Sequence, residues 1–414
     1  MAQIGWIDFS KAHHNKVMLV MDMFKEQGVI DELGLGTIRD ALSDLLFPGT
    51  STIQTRAKYF LLIPWIIQDI EKKEKLDRFQ SELEQSEIHF VKTLKKNSPP
   101  KSGVIGETLL NSNPKRKPSS VYWNGLRIYD ILRFQGSLND YIKNQKYYFQ
   151  KEQKTKSQLA DATGNVPGDD KDANHLYQHK LWASVPKPPK DWKENLSIEL
   201  SNDEATFLKE SIIRSNSQTL FAFALTDCME VAKDFYGIDD FLYVPNLPDD
   251  LKKIIKVAID FNSIMQGALI RYNLLIQLNR ENGNTNQLQL VWEDYWNEMQ
   301  NFNWNNWNTK ALWEYCPYIK PSTRRFLEQW MEFVKADSYN QTEADFMLKN
   351  RELRLKGLRR ARLSDKAIAQ KQENTTGISI YQDGSVSYLT YRWNTVKTYL
   401  NDIYNGITNN VTAQ

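Results

Sequence analysis

The sequence predicts a mainly α fold, multi-helical with two or three subdomains and a small C-terminal β-hairpin. Three observations lead there. Apolar residues recur at spacings of three and four along much of the chain, the mark of helices with one buried stripe. Helix-start signals pairing a hydroxyl residue with an acid or amide three positions on appear repeatedly. Only GISIYQDGSVSYLTY, residues 377–391, alternates in the strand manner, and its Asp383-Gly384 fits a two-residue type I′ turn. At 414 residues the chain is long for one core, and 41% hydrophobic with 12% aromatic content fits a folded globular protein.

Taken in order, Val17, Val20, Met21 and Phe24 give a first helix within 11–27. Gly34 and Gly36 break the chain, and Thr37 with Asp40 opens a second helix running to about Phe47, where Pro48-Gly49 stops it. Ser51 with Gln54 reads as another capping box and predicts a helix from Ser51, with Ala57, Phe60, Leu61 and Trp65 inward and a kink at Pro64. A charged helix follows over 68–96. Pro99-Pro100, Gly103 and Pro114 make 97–120 a loop region, and 122–134 returns to a helical pattern. Residues 150–195 are the most polar of the chain and read as a long exposed excursion or a domain boundary. Ser201 with Glu204 is the clearest capping box, with helix signals to about Phe235. Pro248 suits the first turn of a long helix carrying Leu251, Ile254, Ile255, Ala258, Phe261, Met265, Leu269, Tyr272 and Ile276. Residues 292–330 hold six of the twelve tryptophans, and a last helix covers 394–405. These segments group as 1–96, 97–195, 196–345 and 346–414.

Composition excludes several classes. A net charge of +2 gives no global field for nucleic acid, so any basic site must be a local patch. Two cysteines, Cys228 and Cys316, cannot build a disulfide framework and fit a reducing, cytoplasmic setting. The N-terminal residues lack a basic segment leading into an apolar one, which argues against a signal peptide. The longest apolar stretch, 59–67, is interrupted by Pro64 and is far short of the roughly 20 residues a membrane span needs.

No diagnostic catalytic motif stands out, and no cofactor or metal is implied. His14, Lys16 and Asp22 come near the H-x-K-x-x-x-x-D pattern of phospholipase D-type phosphodiesterases. Asp22 is one residue too far, which on a helix turns it about 100° away. His175 and His179 share a helix-like face but have no third ligand nearby. Asp169-Asp170 and Asp239-Asp240 sit in turn-like contexts, and Gly34-Leu35-Gly36 lacks the strand and third glycine of a phosphate loop.

The strongest functional signal is basic. Residues 349–371 hold nine Lys or Arg against two acids, a local charge of +7. Arg351, Arg354, Lys356, Arg359, Arg360 and Arg362 are the candidates for clamping phosphate, since the guanidinium fork donates two hydrogen bonds and released counterions drive binding. A protein partner or a plain solvated helix explains the same charges. Lys95, Lys96, Lys101, Lys115, Arg116 and Lys117 form a second, less specific cluster. The stretch around Pro48-Gly49 has the length of a helix-turn-helix, which would offer Thr52, Gln54 and Arg56 to DNA; a capped helical corner accounts for it equally. The tryptophans at 292–330 fit core packing better than base stacking.

IGWIDFS, GLGTIRDALSDLLFPGTSTIQTRAKYFLLIPWI, PSSVYWNGLRIY and RRARL with YRWNTVKTYLNDI together resemble an uncharacterised bacterial domain-of-unknown-function family. The resemblance implies a setting similar to that of antiphage defence components, beside helicases, methyltransferases and phospholipase D-like nucleases. It carries no catalytic residues. The expectation is a non-catalytic DNA-binding subunit of such a system, holding duplex DNA by its phosphate backbone. An adaptor docking a helicase or nuclease, and a divergent nuclease, are the alternatives.

Overall fold

The structure, a computed structural model, describes residues 33–73, 78–109, 114, 116–145, 147, 181–279, 285–336, 340–365 and 390–408. Among these the protein is mainly helical and contains no sheet; Leu132 and Trp182 form one isolated antiparallel bridge. The helix expected at 11–27 and all but the last two residues of the expected hairpin lie outside the described residues.

The chain forms two compact units, each discontinuous in sequence. The first draws on residues 33–42 and the described part of 248–391; the second on the described part of 43–247 and on 392–408.

The helix α1 (Gly36–Leu46) begins among the residues of the first unit and ends in the second at the Pro48-Gly49 break, where Gly49 takes φ +79° with the Tyr129 ring against it. The next helix, α2 (Tyr59–Lys72), begins eight residues later than Ser51 predicts and runs through Pro64 with Tyr59 to Ile67 all buried. The charged segment expected over 68–96 divides between the end of α2 and α3 (Phe79–Asn97), and the helix expected at 122–134 is α4 (Pro118–Ile128); α3 and α4 both pack on α2. Proline opens α4, where its missing N–H costs nothing. Both halves of the Ser201–Glu204 capping box form at the start of α5 (Asn202–Ser215), followed by α6 (Leu220–Asp227), α7 (Met229–Ala232) and a 3-10 turn at Ile238–Tyr243.

In the first unit, α8 (Asp249–Leu278) follows Pro248 for 30 residues, with Leu251, Ile255, Ala258, Phe261, Met265, Tyr272 and Ile276 buried as their spacing requires. Around it pack α9 (Asn286–Gln300), α10 (Thr309–Tyr315), α11 (Pro321–Lys335) and α12 (Gln341–Lys356). Trp292, Trp307 and Trp330 are buried, and Trp296 lies against Trp292 and Phe333, so most of the tryptophan stripe is core. The last helix, α13 (Trp393–Thr408), returns to the second unit and crosses α5 closely: a Cβ on Gly406 would lie 2.7 Å from that of Ala205.

Candidate nucleic-acid interface

The end of α12 and the loop after it carry the basic residues singled out above. Asn340 caps α12 by accepting from the Glu343 amide. Gly357 ends it at φ +72°, ψ 164°, a backbone region reserved for glycine. Its amide still reaches the Leu353 carbonyl at 2.8 Å, and its carbonyl accepts from the amides of Arg360 and Ala361.

A buried carboxylate holds this loop. Glu352 is fully buried and accepts from the Tyr272 hydroxyl (2.7 Å), Lys356 Nζ (3.1 Å), and the amides of Arg362 (3.0 Å) and Leu363 (2.9 Å). Four donors compensate the desolvation of its charge. Ser364 adds a bond to the Ala361 carbonyl. The loop is therefore tied at both ends and in the middle. Arg354, Arg359 and Arg360 stand exposed on this frame and make no ion pair among the described residues. Arg362 is half-buried, and Lys356 is turned to Glu352.

Arg351 is placed differently. It is 5% exposed, donates to the Leu33 carbonyl (2.8 Å), the Ser322 carbonyl (3.1 Å) and Thr323 Oγ1 (2.8 Å), and lies over the Phe326 ring. All three guanidinium nitrogens are used inside the first unit, so no fork remains for phosphate. Gly34 is glycine for the same reason: a Cβ there would meet Arg351 Nη2 at 2.6 Å.

The helix-turn-helix arrangement does not form. Residues 51–58 make a turn rather than the start of a helix, and Gln54 and Lys58 are buried in the second unit. Gln54 is buried; its amide oxygen accepts from the Ser51 amide and the Tyr399 hydroxyl, while its nitrogen donates to the Gly49 carbonyl. Arg56 pairs with Asp402 at 2.8 Å and donates to the Ser102 carbonyl at 2.6 Å. Thr52 alone of the three is exposed. Tyr122 completes the corner, its hydroxyl accepting from the amides of Thr55 and Arg56. Thus FPGTS, QTRA, VYWNG and RWNTVKTYLND meet in one buried polar knot, and their residue types answer to folding.

Other candidates resolve simply. Asp240 accepts from the amides of Tyr236 and Gly237, so the 239–240 pair is turn chemistry. Lys95 reaches the Leu109 carbonyl. His14, Lys16, Asp22, His175, His179, Asp169 and Asp170 lie outside the described residues. No group of three or more His, Cys, Asp or Glu among the described residues can hold a metal. Burial pushes both cysteine thiols up to about 11, the opposite of an activated thiolate. A cleft of about 800 Å³ in the second unit has Lys58 on its wall, an element sequence reasoning missed. Burial lowers the Lys58 pKa, opposed by Glu204 at 2.6 Å, and the Glu199 carbonyl accepts a second hydrogen bond from the ammonium at 3.2 Å. The pair joins α2 to α5 and is accounted for as a buried structural link. No described helix is long and apolar enough to cross a membrane.

With this geometry in hand, comparison with known families is direct: a family of unknown function, DUF6361, matches residues 1–170 and 168–406, and the chain belongs to it. No curated protein and no solved structure matches the chain.

Proposed function

We propose that this protein is a non-catalytic nucleic-acid-binding subunit that grips the phosphate backbone through Arg354, Arg359 and Arg360. One observation carries the reading: three exposed arginines, Arg354 in the last turn of α12 and Arg359 and Arg360 on the loop after it, flank a fully buried glutamate that holds the loop in place. A charge cluster on a mobile segment pays ordering entropy when it binds; one on a fixed frame does not. The resemblance in sequence motifs, and nothing else, supports placing the subunit in a bacterial antiphage defence assembly with a helicase or nuclease partner.

The test is fluorescence anisotropy of labelled nucleic acid against salt, comparing the wild type with a triple Arg354→Gln/Arg359→Gln/Arg360→Gln variant. Loss of three phosphate contacts should flatten the slope of log K against log salt by roughly 2 to 3 units. An unchanged slope, or no binding by wild type at low salt, overturns the proposal. The adaptor reading then takes over, tested by whether the same arginines are needed to retain a partner.

A further inference from the structure

The helix that leads into the arginine loop wears its pattern inside out. Ala344, Leu348, Arg351 and Glu352, at i, i+4, i+7 and i+8, form its buried stripe. Phe346, Asn350, Leu353 and Arg354 repeat the same spacing about 200° round the helix, on the outward side. The inward stripe thus contains two charged residues and the outward one a phenylalanine and a leucine. Phe346 is 66% exposed and Leu353 half-buried. An ordinary surface helix does the reverse. Just beyond the helix, Leu358 is 72% exposed on the pinned loop, between Arg354 and the Arg359-Arg360 pair.

Apolar side chains held outward among cations call for a particular partner. A duplex offers phosphates but hides its base faces in the stack, so it has nothing for Phe346. A single strand offers both: phosphates for the arginines and flat apolar base faces for an aromatic ring. The charge at the C-terminal end is complementary to a polyanion, since Arg354, Arg359 and Arg360 lie there, while Lys349 beside the stripe is paired with Asp365 at 2.5 Å. Of the acids of the helix, Glu343 lies in the first turn, Asp345 is paired with Arg271 and Glu352 is buried. From Phe346 to Lys356 the surface runs along about 15 Å of helix.

We infer that the outward face of α12 and its following loop bind single-stranded nucleic acid, with Phe346 stacking on a base and the arginines holding the adjoining phosphates. This rests on the phosphate-binding reading above and narrows it from nucleic acid in general to unpaired strands.

The experiment titrates the full chain with labelled oligo-dT, oligo-U and a duplex, each about 20 nucleotides long so as to exceed typical single-strand site sizes. Oligo-dT and oligo-U separate DNA from RNA as the source of the strand. The expected result is tighter binding of one or both single strands than of duplex. Phe346→Ala should weaken single-strand binding roughly five- to a hundredfold, as loss of one stacked base does. It should leave duplex binding and Tm unchanged, since the side chain faces outward. Duplex binding that equals or exceeds single-strand binding, with Phe346→Ala silent, overturns the inference. If the triple arginine variant still weakens that binding, the phosphate reading stands alone. Failure to bind any of the three probes removes both. Concentration-dependent self-association abolished by Phe346→Ala also overturns it, because the face then belongs to a second copy of the chain.

Discussion

The guanidinium of Arg56 closes on the carboxylate of Asp402 across 346 positions of sequence, with Nε at 2.9 Å and Nη2 at 2.8 Å from Oδ1. The second carboxylate oxygen accepts from the Ala57 amide at 2.9 Å, just ahead of α2. Burial raises the Asp402 pKa, and Arg56 pulls it back. Removing one partner strands the other, so Asp402→Ala should cost about 3–5 kcal/mol in urea unfolding, and Arg56→Met/Asp402→Leu should cost less than either single change. A folded Arg56→Met protein should keep its nucleic-acid affinity, unlike Arg359→Gln. Loss of affinity without loss of stability would return Arg56 to the binding surface.

Glu87, on α3, substitutes for a cap on α4: its carboxylate accepts from the Ser119 amide at 2.6 Å while almost fully buried. Burial pushes its pKa up to about 7, against the pull of Ser119 and the nearby Lys117 charge; Glu84 adds to the rise. The folded state then holds a proton that the unfolded state releases near 4.5. Stability should fall as pH rises between about 4.5 and 7 and level off above, by up to roughly 3 kcal/mol. Glu87→Gln keeps the acceptor oxygen and removes the ionisation, so the variant should be the more stable protein at pH 8 and lose that advantage near pH 4.5. Asp260, pushed up to about 6 by burial, has the same sign in both proteins, so the difference between their pH profiles isolates Glu87. Parallel profiles would show that Glu87 stays ionised in the fold.

What could be read from the sequence was whatever a local signal controls. The spacing of Leu251, Ile255, Ala258 and Phe261 sets α8, and Ser201 with Glu204 sets the start of α5. The second duty of Glu204, its bond to Lys58, lies 146 positions away and leaves no local trace. Ser51 and Gln54 mimic a helix start because a capping box and an inward-turned glutamine have the same spelling; Tyr399 and the Gly49 carbonyl decide between them. Among the basic residues, Arg354, Arg359 and Arg360 are exposed, as a local charge run suggests. Arg351 does not, because its acceptors come from Leu33, Ser322 and Thr323. The inverted faces of α12 follow from the same cause, since only tertiary partners make a charged stripe the buried one.

Gly267 marks where α8 and α9 come closest. A Cβ at that position would lie 2.0 Å from the Tyr295 ring, whose hydroxyl donates to the Ile264 carbonyl one turn back at 2.9 Å. Trp330 Nε1 donates to the same carbonyl at 3.0 Å. Gly267→Ala therefore cannot be absorbed by a small shift: Tyr295 must leave its site, and its bond to the Ile264 carbonyl goes with it. The expected cost is about 3 kcal/mol or more despite the better helix propensity of alanine. Tyr295→Phe removes the hydroxyl alone and should cost about 1 kcal/mol. Chemical denaturation that finds Gly267→Ala neutral would show that the two helices do not approach this closely.

The arginine loop depends on Glu352, and its looseness can be read by a protease that cuts after arginine. Glu352→Ala leaves the Tyr272 hydroxyl, Lys356 Nζ and two loop amides without their acceptor inside the first unit. Unsatisfied buried donors cost about 1–3 kcal/mol each, part of which the loop recovers by opening to water. The frame should therefore loosen locally before it unfolds globally. Trypsin should cut the folded variant after Arg359 or Arg360 at least several-fold faster than wild type, under conditions where cleavage elsewhere is unchanged. Gly357→Ala attacks the same loop from its backbone. Nothing lies within 4 Å of the added Cβ, so its cost of about 1–3 kcal/mol comes from φ +72° alone. Both variants retain every exposed arginine, so weakened nucleic-acid binding in either would measure how much affinity comes from fixing the loop. Equal trypsin rates in wild type and Glu352→Ala would mean that the buried carboxylate does not hold it.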